Sequence, residues 1–373
     1  MTRSVVISIN SAWNIVNFRA SLIDALIAHG YDIVVVAAPD AYAAQIPRKS
    51  CRFIPIAMDN GGTNPFLDGK LLVDYYRVLS QVRPQCFLGY TVKPNVYGSL
   101  ASHLLGIPTI SNVAGLGTAF ISPSWITFVS KALYRMAFSR ASRVFFQNND
   151  DLEYFVSRHL VNAAIASRIP GSGVDTDRFA PRATPRRVGR FRFLLLGRLL
   201  WEKGIREYVE AARIMKENNQ DVEFYLLGFL DVANRAAIPR SQVEHWEAEG
   251  LITYAGSADD VIPFIVEADC VVLPSYREGA PRALLEAASM AKPIITTDVP
   301  GCRDVVDDGV TGFLAQVRDP VDLARKMESM LALPEEERLW MGQRGREKMQ
   351  QEFDEQIVIQ QYLAAIDSVS RRQ

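Results

Sequence analysis

Apolar residues fall into two kinds of run along this chain. The first kind is short, continuous and rich in Val, Ile, Leu and Phe. It recurs at 5–9, 33–36, 86–90, 108–112, 191–196, 222–227, 251–255, 269–274 and 294–297. Such runs read as strands buried on both faces, the signature of a parallel sheet. The second kind repeats every three or four residues and predicts helices. One carries Leu22, Leu26 and Ile27 and is closed by Gly30; another covers 74–82; others run from 98 to Gly106 and from Gly204 through Met215. A helix from Arg282 to about Ala291 has Leu284, Leu285 and Ala288 on one face. Pro281 is expected at its first helical position, and Pro293 ends it. Residues 320–370 read as helical, with a last helix near 355–369. Strand and helix alternate throughout, which predicts an α/β fold with parallel sheets.

The pattern breaks once, at 180–190, where Pro and Arg dominate without apolar period. That predicts an N-terminal Rossmann-like domain at 1–180, a linker at 181–190 and a second Rossmann-like domain at 191–354. A length of 373 residues suits two such domains. Net charge is −1 overall, so a global nucleic-acid footprint is absent. The balance is uneven, however: residues 1–180 hold 16 Lys and Arg against 11 Asp and Glu, or +5. A basic first half suggests an anionic partner for that half. Cys51, Cys86, Cys270 and Cys302 are scattered without metal-ligand spacing, and read as reduced and mostly buried in a cytoplasmic protein. The N-terminal run is too short for a signal peptide and reads as the first strand. No run approaches the about 18 apolar residues of a membrane span, so any membrane contact is expected to be peripheral.

Candidate chemistry sits in the loops at strand ends. After strand 269–274 comes a turn, 275–280, with Glu278 and Gly279 at its tip; Gly279 and Ala280 would let backbone approach a ligand closely. The helix that follows presents free N–H groups suited to a phosphate. Glu286 lies about two turns along it, placing the two carboxylates on the order of 10 Å apart. That is too far for an acid/base pair on one bond, since glycosidase pairs sit about 5–9.5 Å apart. It suits two hydroxyl-rich ends of one long ligand with a phosphate between them. After strand 191–196, the loop 197–204 offers Arg198, whose fork fits phosphate oxygens, and Lys203, a point charge. Gly228 ends strand 222–227, where nucleotides bind in α/β sheets. In the first domain, the loop 10–19 lacks GxGxxG, which counts against a dinucleotide-binding oxidoreductase. It carries Asn14, Asn17 and Arg19 instead, and a second loop holds Asn112, Gly115 and Gly117.

These segments match a known pattern. Glu278 and Glu286, set in REGAPRALLEA and followed by PIITTDVPG, with GRLLWEKG at 197–204, resemble the family 4 nucleotide-sugar glycosyltransferases. Segments 86–98, 108–118, 144–151 and 171–179 resemble a narrower group, bacterial transferases that extend lipid-linked oligosaccharides and surface polysaccharides such as lipopolysaccharide. The resemblance implies the GT-B arrangement, two Rossmann-like domains facing across a cleft, with the last helix, 355–373, packing back on the N-terminal domain. It implies a retaining transfer from a nucleotide-sugar, UDP-linked, to a sugar hydroxyl of a lipid-linked or polysaccharide acceptor, as hexosyl- or N-acetylhexosaminyl-transferase. It assigns Glu278 to the donor sugar hydroxyls, Glu286 to the ribose, and Arg198 and Lys203 to the diphosphate, with Gly228, Gly279 and Ala280 lining the donor. Asn14, Asn17, Arg19, Asn112, Gly115 and Gly117 fall to an acceptor or phosphate loop. It implies no cofactor and no metal, with the nucleotide-sugar as substrate. Many family members have a His after the strand corresponding to 108–112; this chain has none, so the base is unassigned.

His29, His103, His159 and His245 are isolated in sequence and read as surface or satisfied histidines. The pairs Asp150-Asp151, Asp259-Asp260 and Asp307-Asp308 fit helix starts and turns better than a metal. Residues 121–149 contain no acid but hold Lys131, Arg135, Arg140 and Arg143 among Trp125, Phe128, Tyr134 and Phe138. A solvated basic face is one reading; contact with an anionic membrane or a lipid-pyrophosphate acceptor is the other. Such contact would set the protein at the inner face of the membrane. Two rival functions stay open: a nucleotide-sugar epimerase on the same fold, and a non-catalytic carbohydrate-binding module.

Overall fold

The computed structural model describes residues 3–370 apart from 48–49, 60–61, 63, 117–124, 183–188, 219–220, 231–233 and 235. Gly117, most of the expected linker and part of the acid-free stretch lie outside the described residues. The chain forms two compact units, Met1–Ser172 with Gln356–Gln373, and Gly173–Glu355.

The first unit runs β1 (Ser4–Ile9), α1 (Ala12–Phe18), α2 (Ala20–Ala28), β2 (Asp32–Ala37), β3 (Cys51–Pro55), α3 (Pro65–Val82), β4 (Cys86–Tyr90), a π-turn at Pro94–Gly98, α4 (Ser99–Leu104), β5 (Thr109–Val113), α5 (Trp125–Phe138), β6 (Arg143–Phe146), α6 (Asn149–Ser157) and β7 (Ala166–Arg168). Its seven strands are parallel in the order β3-β2-β1-β4-β5-β6-β7. Alternate strand residues serve opposite faces. Val5, Ile7, Ile33 and Leu88 pack with Leu22 and Leu26 of α2, whereas Val6, Val34 and Phe87 pack with Leu71, Tyr75 and Leu79 of α3. Asn64 caps α3 and Pro65 opens it, so this helix starts nine residues before the 74 read from the pattern.

The second unit runs β8 (Phe191–Leu196), α7 (Ile205–Glu217), β9 (Val222–Leu227), α8 (Arg240–Ala248), β10 (Thr253–Tyr254), α9 (Ile262–Glu267), β11 (Cys270–Leu273), α10 (Arg282–Ser289), β12 (Ile294–Thr297), β13 (Gly312–Ala315), α11 (Pro320–Ala332) and α12 (Glu335–Lys348). Its parallel order is β10-β9-β8-β11-β12-β13. In both sheets the order reverses beside the first strand, which is where α/β sheets leave a crevice at the carboxyl ends. Pro281 is the N-cap of α10 rather than its first helical residue, with extended ψ of 100°. The last helix, α13 (Glu355–Ser370), gives Val358, Ile359, Tyr362, Leu363 and Ile366 to the core of the first unit.

The boundary expected at 180 falls at 172/173. Val174 and Phe179 belong to the core of the second unit. Val174 donates its N–H to Phe353 O, and Arg346 Nη1 donates to the carbonyls of Thr176, Phe179 and Ser289. A Pro- and Arg-rich composition marks where apolar period stops, but not where packing changes partner.

Candidate active site

In the second unit, three loops are stitched together at the carboxyl ends of the strands. Leu199 and Leu200 are fully buried and anchor the loop after β8. Gly204 takes a left-handed φ of +72°, and a Cβ there would meet Pro274 O at 1.9 Å. Only glycine permits this approach, and it brings Lys203 against the loop after β11. Tyr276 N–H donates to Glu202 O at 2.9 Å, closing the same seam. The third loop, after β12, lies beneath: Glu278 N–H donates to Pro300 O, and a Cβ on Gly301 would sit 2.5 Å from the carbonyls of Glu278 and Gly279.

This packing sets up an ion pair. Lys203 Nζ is 2.5 Å from Glu278 Oε1, with the side chains 16% and 12% exposed. Ser275, fully buried, donates its hydroxyl to the same oxygen at 2.7 Å. The Ser275 carbonyl in turn accepts from Thr297 Oγ1 at 2.5 Å. Glu278 is therefore fixed by a chain running back into β12. Glu286 is buried on α10 and accepts from Arg282 Nε at 2.7 Å. Burial pushes its carboxyl above the ordinary glutamate range; Arg282 and Arg178 pull the other way, and Asp260 adds to the rise. Arg198 is exposed and pairs with no acid among the described residues. Gly228 is buried; its N–H donates to Gly256 O, and a Cβ would strike Gly197 O at 1.8 Å. Gly279 is buried and Ala280 half-buried beside the pair. Ser275, Thr297, Arg282 and Arg178 were missed in the sequence. Only Arg282 left a signal, four residues ahead of Glu286.

The candidate residues of the first unit also meet at strand ends. Ser11 caps α1, and Asn14 Nδ2 donates to Asn10 Oδ1 and Ser11 Oγ. Asn17 donates to the Trp13 carbonyl, so its amide serves its own helix. Asn112 is buried: Nδ2 donates to Tyr362 Oη at 2.8 Å, and Oδ1 accepts from Gln147. Gly115 holds φ of +112° in the loop after β5. Arg19 is 6% exposed, donates Nη1 to Phe18 O and lies 4.3 Å over the Tyr90 ring. No carboxylate pairs with it among the described residues. An unpaired cation at this depth costs several kcal/mol, which the ring and carbonyl offset in part.

The other titratable residues have structural places. His29 meets its own helix carbonyl at Ala25, His245 lies 3.3 Å from Glu249, and burial lowers the pKa of His103. Asn148 caps α6 with Asp150 and Asp151 in the first turn, and the Asp260 and Asp308 carboxylates accept backbone N–H groups in turns. All four cysteines are free and buried.

Two family models match the chain. One, described as glycosyl transferase 4-like, covers residues 5–148; the other, glycosyl transferases group 1, covers 177–348. A relative from Campylobacter jejuni, named N,N'-diacetylbacillosaminyl-diphospho-undecaprenol alpha-1,3-N-acetylgalactosaminyltransferase, is 26% identical over 95% of this chain and 96% of its own. An Escherichia coli protein named UDP-Gal:alpha-D-GlcNAc-diphosphoundecaprenol alpha-1,3-galactosyltransferase is 26% identical over 68% of this chain and 67% of its own. An Anabaena protein crystallised with UDP and glucose shares the fold at a TM-score of 0.80 and 17% identity, over 98% of this chain and 100% of its own. With one model on each unit, and the Lys203–Glu278 and Arg282–Glu286 pairs inside the second, the chain belongs to the group 1, or family 4, glycosyltransferases of GT-B fold.

Proposed function

We propose that the enzyme transfers a sugar from a UDP-linked donor to a sugar hydroxyl on a lipid-linked acceptor, as a hexosyl- or N-acetylhexosaminyl-transferase. The observation that carries this reading is the half-buried Lys203–Glu278 pair at the carboxyl edge of the second sheet. A cation and a carboxylate held side by side suit a diphosphate adjoining a sugar. In this reading Lys203 and Arg198 neutralise the leaving diphosphate, Glu278 accepts from donor sugar hydroxyls, and Glu286 accepts from the ribose. Gly279 and Ala280 would line the donor, and Gly228 lets the Gly197 carbonyl close against its own backbone. The names of the two bacterial relatives, both acting on diphospho-undecaprenol sugars, support the acceptor class. Transfer is proposed to retain anomeric configuration and to need no metal.

The test is a donor screen. UDP-sugars should raise the melting temperature in a concentration-dependent way. The matching donor should release UDP only when a lipid-diphosphate sugar is added, and at the same rate in EDTA. An epimer formed from donor alone would move the reading to the epimerase alternative.

We further propose peripheral contact with an anionic membrane through the first unit. Among the described residues, no helix is long and apolar enough to cross a membrane. Yet Phe66 and Val73 on α3, Leu104 on α4, and Phe128, Val129 and Met136 on α5 are exposed, and these helices cover the same face of the sheet. Arg135 and Arg140 are exposed among them, and Lys131 and Arg143 are half-buried. Changing all four cations to Gln should weaken binding to phosphatidylglycerol vesicles by about 1 kcal/mol per charge, with UDP affinity unchanged. Wild-type protein that ignores such vesicles at low salt would end this proposal.

A further inference from the structure

A cavity of about 310 Å³ opens in the first unit between the loop after β3, the start of α3 and the loop after β4. Ligand pockets run from about 300 to 1,000 Å³, so this one suits a single small ring. Ala57, Met58, Leu67 and Leu71 give it an apolar side, and Asp68 and Lys93 a polar one. Lys93 Nζ donates to Asp68 Oδ1 at 2.7 Å, and Tyr97 Oη donates to Oδ2 at 2.9 Å. The Lys93 and Asp68 side chains are 12% and 14% exposed. Charges held at that depth seldom repay their desolvation as stability, so the pair calls for another reason. It also has capacity to spare. A carboxylate offers about four lone-pair sites and an ammonium three protons; the two bonds here use two of the first and one of the second. The backbone is bent to hold Lys93 in place. Thr91, a β-branched residue, takes a left-handed φ of +63°, and the π-turn at Pro94–Gly98 follows directly. Strain of this kind persists where the surroundings over-determine it, often at ligand clamps. The remaining charges on the wall are engaged elsewhere: Lys70 meets Asp74 at 2.7 Å, and Asp59 accepts the Gly62 N–H at 2.9 Å. Two acids and two lysines leave the cavity without net charge, which favours a neutral hydroxylated ligand over a phosphate.

We propose that Asp68 and Lys93 form a subsite for a neutral sugar ring. Asp68 accepts from one ring hydroxyl, Lys93 donates to its neighbour, and the C–H face of the ring lies on Met58 and Leu71. Tyr97 does not line the cavity; it is a positioning residue that fixes the Asp68 carboxylate. Burial, followed by the bond to Asp68, pushes its phenol above the ordinary range, so it stays a donor. The source of the sugar rests on the reading of this enzyme as a lipid-linked transferase: the ring then belongs to the acceptor glycan, and Asp68 and Lys93 select among acceptors by the hydroxyls they meet.

The test is saturation-transfer NMR on the full-length protein, without UDP. The probes are the methyl glycosides of glucose, galactose, N-acetylglucosamine and N-acetylgalactosamine. Wild type should bind at least one of them. Ala57→Trp fills the cavity from an exposed position, so it should abolish that binding with an unchanged melting temperature. Asp68→Asn and Lys93→Gln should each lose at least about tenfold in affinity, and Tyr97→Phe about threefold. The preferred sugar is then offered on geranyl diphosphate. Tighter binding that Ala57→Trp still abolishes assigns the subsite to a lipid-linked glycan; equal binding assigns it to the free end of a polysaccharide. Wild type that binds none of the four sugars, or an Ala57→Trp protein that binds normally, overturns the proposal. Binding kept in Ala57→Trp but lost in Glu278→Ala belongs to the donor site and overturns it as well. Should Asp68→Asn or Lys93→Gln fail to fold, Ala57→Trp decides alone. Absence of UDP binding in a separate calorimetric titration would sink the donor reading and leave this subsite standing, because the NMR titration holds no donor.

Discussion

Lys203→Met is expected to lower turnover by roughly 10²-fold or more, as removal of one aimed donor does at a developing charge. The sequence offers Lys203 as a cation in the loop after a strand, in a motif whose resemblance assigns it to the diphosphate, but gives it no direction. The structure gives it a fixed direction, because Gly204 presses its loop onto Pro274 and Glu278 holds its ammonium at 2.5 Å. The same pairing complicates the experiment. Removing one partner of a mostly buried pair costs about 3–5 kcal/mol in other proteins, and here it would leave Glu278 with the Ser275 hydroxyl. The control is therefore Lys203→Met with Glu278→Gln. That double variant should regain melting temperature over Lys203→Met but none of its turnover. A folded Lys203→Met protein with wild-type kcat would remove this residue from the reaction.

The second large effect separates the two glutamates. Glu278→Ala should lower kcat by about 10²-fold, since contacts on the transferred sugar tighten as its anomeric carbon becomes positive. Glu286→Ala should mainly raise the donor KM, by about tenfold, because a ribose contact serves substrate and transition state alike. UDP measures the difference without chemistry. Calorimetry should show weaker UDP binding in Glu286→Ala, whereas Glu278→Ala should bind UDP at least as well as wild type, its Lys203 having been released from the ion pair. The pH profile adds a check. The Glu286 carboxyl is raised by burial, so it takes up a proton at a higher pH than an exposed glutamate and, in the ribose role proposed for it, would then lose acceptor capacity. Wild-type UDP affinity should thus fall as pH drops toward that raised value, and Glu286→Gln should flatten the fall. The opposite assignment of the two variants would mean that the donor lies reversed along α10.

Much of the fold was legible because parallel strands buried on both faces write themselves as unbroken apolar runs. Residues 86–90, 191–196, 222–227 and 294–297 coincide with β4, β8, β9 and β12. Strands without such runs were missed: Ala166–Arg168 is half-buried and half-polar, and Gly312–Ala315 begins on a glycine. The start of α3 was hidden because Phe66 and Leu67 are exposed and Gly69 interrupts the apolar stripe. In the site, Lys203, Glu278 and Glu286 stood out through the motifs around them that resemble the family's, since their bare spacing carries no signal. Those motifs were silent on the Lys203–Glu278 pair, since 75 residues separate the partners and a glycine with a forbidden Cβ joins them. The sequence placed Arg19 in a phosphate loop, but burial without a counter-ion is a property of packing and has no sequence signature.

The helix α13 carries a further consequence, for how this chain comes into being. Val358, Ile359, Tyr362, Leu363, Ile366 and Val369 complete a core whose other members are all made before residue 173. The intervening 183 residues fold as the second unit. At about 5–20 residues per second, a ribosome needs on the order of 10–40 s to synthesise them. Throughout that interval the nascent first unit lacks the helix that packs on Tyr90, Asn112 and Phe145, while the second unit can already close on itself. The order of folding is thus the reverse of the order of synthesis: the half made first is the half finished last.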